Sequence, residues 1–489
     1  MKITKSILVF LLVTSYAVTS AQSFPFPQQV TYGYGIKPTS QSQTVMNSDV
    51  QTKFTQWRSR YVVSNLCPWT TTKRIDMTGA DLNSTCSEGI SYGLTILVYM
   101  DNATNNTRSD FDAVFGYYKS FLNGRGLMKW KILSTGLPQD STFAGDGDEL
   151  VAFALLMADK QWGSTGTINY LYEATRIIKQ LEKYNVQTNY TFADGGGYWI
   201  FPAYQMPYAM KEFGVVNSNT TGWNATTAKA YALFNYFYNY NSGTSKLPKY
   251  TGLMYDACTP TYAAVDASHQ YYGFDACRVP WHLALDYMWN GTSQSSLAQT
   301  HPTRISAWAK TAWSSNPANA KQKYNLNGTV PSGVGTADYG SMVGPMMVGA
   351  MASTDQAWLN TLYNFCRGLS VGSNYFADNV LIINMIIASG NMPNFRNIQP
   401  LMLAKSRTNN EDFSVSSIES NDIKISLSYF EKSSQIQVEI YDIQGKCQYN
   451  KIASGDEISI PKSLFKNGIY IIKLRNGDQV LCKKVKYVK

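Results

Sequence analysis

Apolar residues recur at the three- and four-residue spacing of an α-helix through most of the chain, whereas convincing alternating strands are scarce. The loops between these segments are long and rich in Gly, Asn, Thr and Tyr. Helices paired into a closed ring, an α/α barrel, fit this pattern better than a sheet, and loops at one end of such a ring would build a cleft. The predicted helices lie near residues 45–62, 89–100, 111–122, 148–159, 168–181, 204–213, 226–240, 281–289, 304–313, 339–351, 356–366 and 379–388.

The pattern changes near Asn394, and from about Phe413 short strand-like segments are separated by Gln-Gly, Asn-Gly and Gly-Asp turns. We predict a helical domain over residues 22–400, a polar linker over 401–412 and a small β-sandwich over 413–489. A carbohydrate-binding module is the less favoured interpretation of the last segment, because it lacks a row of Trp residues on which sugars could stack.

The first residues predict export. Lys2 and Lys5 precede an apolar run over residues 7–13, and Thr-Ser-Ala follows at 19–21, which is typical of a secretory signal peptide cleaved after Ala21. The residue directly after this predicted cut is not a cysteine, so a lipid anchor is not expected. No later apolar run reaches the ~20 residues that a membrane helix requires. We therefore expect a secreted protein without a membrane span.

Composition narrows the class of ligand. The formal net charge is +9, but part of it comes from lysines at the C-terminus, so no nucleic-acid groove is predicted. With 11 Trp and 34 Tyr against 15% charged residues, the chain suits a neutral, hydroxyl-rich ligand such as a polysaccharide, although the same aromatics could be core residues. We expect a monomer.

Cysteine and histidine are sparse. The seven cysteines are too scattered for a disulfide scaffold or a zinc site, and pairing of Cys67 with Cys86 or of Cys258 with Cys277 is left open. The three histidines, which are expected to be structural, poorly supply a Ser-His-Asp or zinc hydrolase. No metal or organic cofactor is expected. The histidines are His269, His282 and His301.

Three segments with acidic residues could carry chemistry, and each segment is rich in small and aromatic residues. Glu88 opens an apolar helix, Asp146 and Asp148 stand where a Gly-containing loop becomes a helix, and Asp275 precedes Arg278 by three residues. Each also has a plainer interpretation. Glu88 could be a capping glutamate, and Asp275 with Arg278 could be a structural ion pair. The segment with Asp146 and Asp148 could be a calcium loop, but it lacks the regular alternation of ligands.

Glu88 has the local setting of a general acid. Burial beside aromatic residues such as Tyr92 raises the pKa of a carboxyl toward neutral pH, whereas the positive end of a helix lowers it. Burial must outweigh the helix effect if Glu88 is to hold a proton at the working pH.

Taken together, these segments resemble glycoside hydrolase family 8, whose members are inverting endo-glycanases on an (α/α)6 barrel. The resemblance covers roughly residues 24–393 and includes two departures, Gly145 where Thr is usual and Phe274 where Tyr is usual. The matching segments are SEGISYG, AGDGDELVAFALLMADKQWG, FPAYQMPYAM, FDACRVPW and SGNMPN.

The resemblance implies a role for each matching residue. Glu88 would be the proton donor and Asp275 the general base, with Asp146 orienting the sugar at the cleavage point. Tyr204 would help to hold the attacking water, and Arg278 would keep Asp275 ionised. The further expected substrate-binding residues are Trp130, which matches a sugar-stacking position, Tyr92 and Trp281.

Hydrolysis of an acetal by inversion requires two carboxyls in different protonation states, separated by roughly 6.5–9.5 Å to admit a water. We therefore expect this separation between Glu88 and Asp275. The loop at Asp146 and the RVPW segment are more similar to the family's β-1,4-glucanases than to its xylanases, which are the alternative. Chitosan, a polycation, suits a basic protein less well. A non-catalytic glycan-binding protein is the alternative from another class.

The C-terminal segment resembles the sorting domain of the type IX secretion system. The resemblance is carried by IYDIQGK and GIYIIKLRNGDQVLCKKVKYV, although the family's opening Pro-Asn-Pro is absent. It implies that the type IX machinery is a partner, and that the domain is removed during export or attaches the protein to the cell surface.

Overall fold

The computed structural model describes residues 23–64, 71–240 and 250–398 of the helical part. In the C-terminal part it describes 415–416, 422–426, 435–442, 446–454, 457–466, 468–476 and 479–487. The chain divides into two compact units, Met1–Leu401 and Met402–Lys489. The predicted signal peptide and linker lie outside the described residues.

The described part of the first unit contains twelve α-helices, close to the positions predicted from the apolar spacing. They are α1 Gln43–Tyr61, α2 Ser87–Tyr99, α3 Arg108–Ser120, α4 Gly145–Trp162, α5 Tyr170–Tyr184, α6 Pro207–Val216, α7 Thr220–Tyr238, α8 Val279–Asn290, α9 Leu297–Ala312, α10 Tyr339–Met351, α11 Gln356–Gly368 and α12 Tyr375–Ala388.

The even-numbered helices form a closed inner ring, because α2, α4, α6, α8, α10 and α12 each pack on the next and α12 packs on α2. Each of the other six packs mainly on the outside of one inner helix: α1 on α12, α3 on α2, α5 on α4, α7 on α6, α9 on α8 and α11 on α10. This arrangement is an (α/α)6 barrel, and the predicted fold class is confirmed.

The two rings differ in sequence as their positions require. Inner helices such as α2, α10 and α12 bury almost every residue and are apolar all round, whereas outer helices such as α5 and α11 bury one stripe. Several helices begin with a polar side chain that accepts a backbone N–H of the first turn. These capping residues are Ser42, Asn169, Asn219, Asp355 and Asn374.

Several helices begin away from the predicted positions. Helix α7 begins at Thr220 rather than at residue 226, and α12 at Tyr375 rather than at residue 379. Helix α6 begins at Pro207 rather than Tyr204, because Pro202–Tyr204 forms a separate 3₁₀ turn before it. Helix α9 begins at Leu297, two turns before the predicted start, and contains Pro302. Proline is usually unfavourable inside a helix, so the apolar pattern alone underestimated its length.

Short strands lie before the inner helices. Strand β1 (Val62–Ser64) pairs with β2 (Lys73–Ile75), and β3 (Thr85–Cys86) pairs with β4 (Lys131–Ile132), all antiparallel. Strand β3 continues directly into α2, so the β3–β4 pair fixes the point at which that helix begins.

The SGNMPN segment lies against the C-terminal ends of inner helices. The Tyr99 hydroxyl donates to the Pro393 carbonyl at 3.0 Å, and the Trp289 indole donates to the Met392 carbonyl at 3.1 Å. Both donors lie in the last turns of inner helices, α2 and α8. This segment therefore ties together the helix ends that lie farthest from the N-termini.

The second unit is built from antiparallel strands. They are β5 Val415–Ser416, β6 Asp422–Ser426, β7 Ile436–Asp442, β8 Cys447–Ala453, β9 Glu457–Pro461, β10 Gly468–Asn476 and β11 Gln479–Tyr487. One sheet has the order β11-β10-β7-β8 and the other β5-β6-β9. Alternate residues of both sheets, including Ile425, Val438, Ile460 and Leu474, share one apolar cluster, so the two sheets face each other as in a small β-sandwich.

Cys258 and Cys277 are separate, buried free thiols, so the disulfide considered between them is not formed. Cys67, the other candidate partner considered, lies outside the described residues, and Cys86 is a free thiol. Among the helices that the structure describes, none has both the length and the apolar character needed to span a bilayer.

Candidate active site

The N-termini of the inner helices converge on one group of acidic side chains. Glu88 lies in the first turn of α2 and Asp146 in the first turn of α4. Asp275 precedes the 3₁₀ turn that leads into α8, Arg278 is the last residue of that turn, and Tyr375 is the first residue of α12. The loops at this end of the barrel therefore bring together residues that are far apart in the chain.

Glu88 is fixed by the way α2 begins. The Ser87 N–H donates to the Trp130 carbonyl at 2.8 Å, next to the β3–β4 pair. The Gly89 N–H donates to the Cys86 sulfur at 3.4 Å, so a thiol takes the place of the usual hydroxyl or carboxylate cap.

Helix α4 approaches α2 closely at Gly147. A Cβ atom at Gly147 would lie 2.6 Å from the Ser87 Oγ and 2.8 Å from its backbone carbon. Only glycine permits this approach, and it brings Asp146 beside Glu88.

Arg278 links the three acidic side chains. Its Nη1 lies 2.9 Å from both Glu88 Oε2 and Asp146 Oδ2, and its Nη2 lies 2.6 Å from Asp275 Oδ1. The Arg278 side chain is 1% exposed, so its guanidinium is shielded from water. The guanidinium therefore holds Glu88 and Asp275 on different nitrogens.

Glu88 has a second hydrogen bond on its other oxygen. The Tyr375 hydroxyl donates to Glu88 Oε1 at 2.9 Å and lies 3.3 Å from the Cys86 sulfur. Burial raises the pKa of Glu88 to about 7, the Arg278 charge opposes this shift, and the charges of Asp146 and Asp275 add to it. Burial therefore outweighs the opposing attraction, as a general acid at this position requires.

Asp275 occupies a more open position. Its side chain is 29% exposed, compared with 19% for Glu88. Burial raises the pKa of Asp275 above its usual range, while the Arg278 guanidinium lowers it. Arg278 thus acts in the expected direction, but the net shift is upward because burial has the larger effect.

Glu88 and Asp275 border the same cavity, which has a volume of about 370 Å³. Phe274 is 50% exposed and lies on this cavity, where the matching family segment has Tyr. The cavity is lined by Gly79, Ala80, Glu88, Phe274, Asp275, Asp338, Asn374, Tyr375 and Phe376.

Three of the expected substrate-contacting residues lie next to this group but outside the cavity lining. Asp146 is 3% exposed, and its Oδ1 accepts the Gly147 N–H at 2.8 Å. Tyr204 is 9% exposed, and its ring lies 5.7 Å from the Arg278 guanidinium carbon. Trp130 is half-buried, and its indole donates to Asp140 at 3.3 Å.

Two other expected contacts are placed differently by the structure. Trp281 has no exposed surface and packs against His282, so its ring offers no face on which a sugar could stack. Tyr92 is 2% exposed, and its hydroxyl accepts a hydrogen bond from Arg278 at 2.9 Å. Direct substrate binding by Trp281 and Tyr92 was therefore a wrong expectation, because both rings are packed beneath the site.

Sequence reasoning missed Tyr375 and the surroundings of Gly145. Tyr375 lies 287 positions from Glu88 in the chain, and no local pattern marks such a contact.

The Gly145 N–H donates to Asp194 at 3.1 Å, and Asp194 also accepts a hydrogen bond from Asn185 at 2.5 Å. Burial raises the pKa of Asp194 to about 7.

Residues 24–390 match the glycosyl hydrolases family 8, and residues 419–487 match the secretion system C-terminal sorting domain. The chain is 32% identical to a β-glucanase of Niallia circulans over 409 residues, which are 78% of this chain and 95% of the relative. It is 30% identical to endoglucanase C of Ruminiclostridium cellulolyticum, over 82% of this chain and 85% of the relative.

A solved structure shows the same fold. The apo structure of a β-1,3-1,4-glucanase from Paenibacillus sp. X4 superposes with a TM-score of 0.67 at 31% identity, covering 76% of this chain and 99% of that one. The sorting domain indicates secretion through the type IX system. The chain is therefore a glycoside hydrolase that belongs to family 8 and carries a C-terminal type IX sorting domain.

Proposed function

We propose that this protein is a secreted endo-acting hydrolase of β-1,4-glucan, either cellulose or mixed-linkage β-glucan, and that it inverts the anomeric carbon. The observation that carries the proposal is that Glu88 and Asp275 border one cavity while bound to different nitrogens of Arg278. The names of the relatives, β-glucanase and endoglucanase, favour glucan over xylan.

In the proposed mechanism Glu88 and Asp275 act in one displacement. Protonated Glu88 gives its proton to the glycosidic oxygen as the bond to the anomeric carbon breaks. Ionised Asp275 takes a proton from the water that attacks from the opposite face of the sugar. At the end Glu88 is ionised, Asp275 is protonated, and the new hydroxyl has the inverted configuration. The separation of roughly 6.5–9.5 Å between the two carboxyls remains a prediction.

The surroundings of the two acids support this division of roles. Burial favours the protonated form of Glu88, which a proton donor needs. Asp275 is the more exposed of the two, and its ion pair with Arg278 favours the ionised form that a base needs. Asp146 shares Arg278 Nη1 with Glu88, which supports a role in holding this arrangement beside the sugar.

Aromatic side chains around the acids would supply the sugar contacts. Phe274 and Phe376 line the cavity, and their rings meet edge to face with centroids 6.1 Å apart. Tyr204 lies close enough to Arg278 to support its assignment to the attacking water, and Trp130 remains the proposed stacking residue beyond the cavity.

The proposed route of export joins the two ends of the chain. The predicted signal peptide over residues 1–21 would direct the chain across the inner membrane, and the sorting domain would direct it through the type IX machinery. We propose that the enzyme then acts outside the cell, as a monomer, on a substrate too large to enter.

The purified full chain tests this proposal on carboxymethyl-cellulose, barley β-glucan, xylan and chitosan, with reducing ends as the readout. We expect release from the two glucans and an inverted product by proton NMR. Glu88→Gln and Asp275→Asn should each lose activity by about 100- to 10,000-fold while still binding cello-oligosaccharide. Preferred release from xylan would replace the substrate, a retained product would contradict the mechanism, and full activity of Glu88→Gln would contradict the assigned acid.

A further inference from the structure

Asp256 is a buried carboxyl that lies behind the loop carrying Asp275. It is 8% exposed, and no sequence motif singled it out. A single oxygen, Asp256 Oδ1, accepts the backbone N–H groups of Gly273 at 3.0 Å, Asp275 at 3.1 Å and Ala276 at 2.8 Å. Three donors that converge on one oxygen fix the local path of the chain.

The main chain of Asp256 is fixed from the other side. Its N–H donates to the Tyr271 carbonyl at 2.8 Å and to the His269 carbonyl at 3.1 Å. Tyr272, which lies between Tyr271 and Gly273 in the chain, exchanges two backbone hydrogen bonds of 2.9 Å with Tyr324. Asp256 therefore binds the loop both before and after Tyr272, and the loop is anchored to a neighbouring segment.

Asp275 is consequently held by two residues. Asp256 accepts its N–H, while the Arg278 Nε donates to its carbonyl at 3.2 Å and Nη2 binds its carboxylate at 2.6 Å. Arg278 thus binds the carboxylate and the carbonyl of Asp275, and Asp256 binds its N–H. Asp256 itself does not line the cavity, so it has no direct access to a substrate there.

Gly273 lies directly against the Asp256 carboxyl and leaves no room for a side chain. A Cβ atom at Gly273 would lie 2.7 Å from Asp256 Oδ2, closer than such atoms can approach. Any side chain at this position would displace the Asp256 carboxyl from its three N–H donors. The loop therefore requires both residues.

We propose that Asp256 is a positioning residue that sets the location of the base, Asp275, relative to Arg278 and the sugar linkage. The proposal rests on the role assigned to Asp275 in the proposed function. A displacement of about 1 Å at a reacting group can cost about 100-fold in rate while the remaining substrate contacts stay in place. Asp256 would thus affect turnover and not substrate binding.

The test compares Asp256→Ala with Asp101→Ala in the full chain on barley β-glucan. Asp101 is a matched control because it is also buried, accepts the Thr107 N–H and the Trp162 indole N–H at 2.7 Å each, and follows α2 at the end opposite the site. We expect Asp256→Ala to lower kcat about 100-fold with KM within about twofold. Asp101→Ala should lower Tm and leave kcat unchanged.

Two more variants separate positioning from general stability. Burial raises the pKa of Asp256 to about 8, and the three backbone N–H groups oppose this shift. Asp256→Asn is a close mimic in shape, because its amide oxygen can accept the same N–H groups as Oδ1. Asp256→Asn should therefore restore most of kcat. Gly273→Ala should reproduce the kinetic change of Asp256→Ala, because it displaces the same carboxyl.

An unchanged kcat in Asp256→Ala, or equal changes in Asp256→Ala and Asp101→Ala, would overturn the proposal. A crystal structure of Asp256→Ala tests the proposal independently of activity. If Asp275 keeps its position on Arg278 Nη2 in that structure, the proposal is also overturned. Wild-type enzyme that hydrolyses none of the glycans would instead remove the proposed function, and the crystal structure would still show whether Asp256 fixes the loop.

Discussion

One buried guanidinium connects side chains from two inner helices and from the segment that precedes a third. Arg278 contacts Glu88 and Tyr92 from α2, Asp146 from α4 and Asp275 just before α8. Lysine could not replace it, because a single ammonium group lacks the planar fork of donors that reaches several acceptors at once. The protonation states of Glu88 and Asp275 are therefore coupled through a shared partner.

The pH dependence of activity follows from these two residues. Glu88 must be protonated, so activity should fall as pH rises through about 7, the pKa of Glu88. Asp275 must be ionised, so activity should also fall as pH drops through its pKa, which burial raises above the usual value of about 3.9. Measured kcat/KM on a soluble β-glucan should give a bell-shaped profile with its alkaline limb near neutral pH.

The control for this profile is circular dichroism over the same pH range, which separates titration of the site from unfolding. An enzyme that keeps full kcat/KM to about pH 9 would contradict the assignment of Glu88 as an acid with a pKa near 7, since general acid catalysis requires the proton to be present on the donor.

Single residues were predictable from sequence where a motif carries them. Glu88, Asp146, Asp275 and Arg278 were found in this way, and the structure brings them together. The depth of each side chain was not predictable: Trp281 was expected on the cleft and lies in the core. Burial depends on contacts between helices distant in the chain, and a local pattern of aromatic residues does not specify them.

At the scale of the helices, the site depends on how closely α2 and α4 approach each other at their N-termini. The first turns of these helices carry Glu88 and Asp146, where the helix dipoles also favour negative charge. Apolar spacing predicted both helices, because a helix packed on all sides must be apolar on all sides. The distance between them is set by Gly147, whose contact with Ser87 could not be read from spacing.

Gly147→Ala should separate these two helices. The added methyl group would lie 2.6 Å from Ser87 Oγ, so we expect a loss of about 1–3 kcal/mol in the free energy of unfolding and a lower kcat. Gly368→Ala is the matched control, because Gly368 ends α11 and a Cβ there would meet nothing within 4 Å. Thermal unfolding and kcat should change for Gly147→Ala alone, and equal Tm values for the two variants would contradict the close-packing argument.

At the scale of the whole chain, the barrel and the C-terminal sheets have separate apolar cores. Among the residues that the structure describes, the buried cluster of the first unit ends at Phe395, and that of the second runs from Ile423 to Leu474. The change from helical spacing to alternation predicted a helical part followed by a small sheet part. The pairing order of the strands was not predictable, since alternation does not specify which strands are neighbours.

Removal of the second unit should therefore leave the enzyme active. A chain that ends at Leu401 should keep the kcat of the full chain and the same Tm for the barrel, because no described residue of the barrel cluster is lost. Calorimetry of both chains, with kcat on β-glucan, checks this. Loss of activity on truncation would mean that the C-terminal unit contributes to the site.

The placement of Glu88 and Asp275 on opposite nitrogens of Arg278 has a consequence for repeated turnover. In the proposed mechanism one negative charge leaves the Nη2 side and another appears on the Nη1 side, so the sum of charges around the guanidinium is the same before and after bond cleavage. The enzyme can then be reset by a proton that leaves Asp275 and another that reaches Glu88, without any rearrangement of Arg278. Rapid exchange of protons with water, rather than movement of the barrel, would restore the starting state.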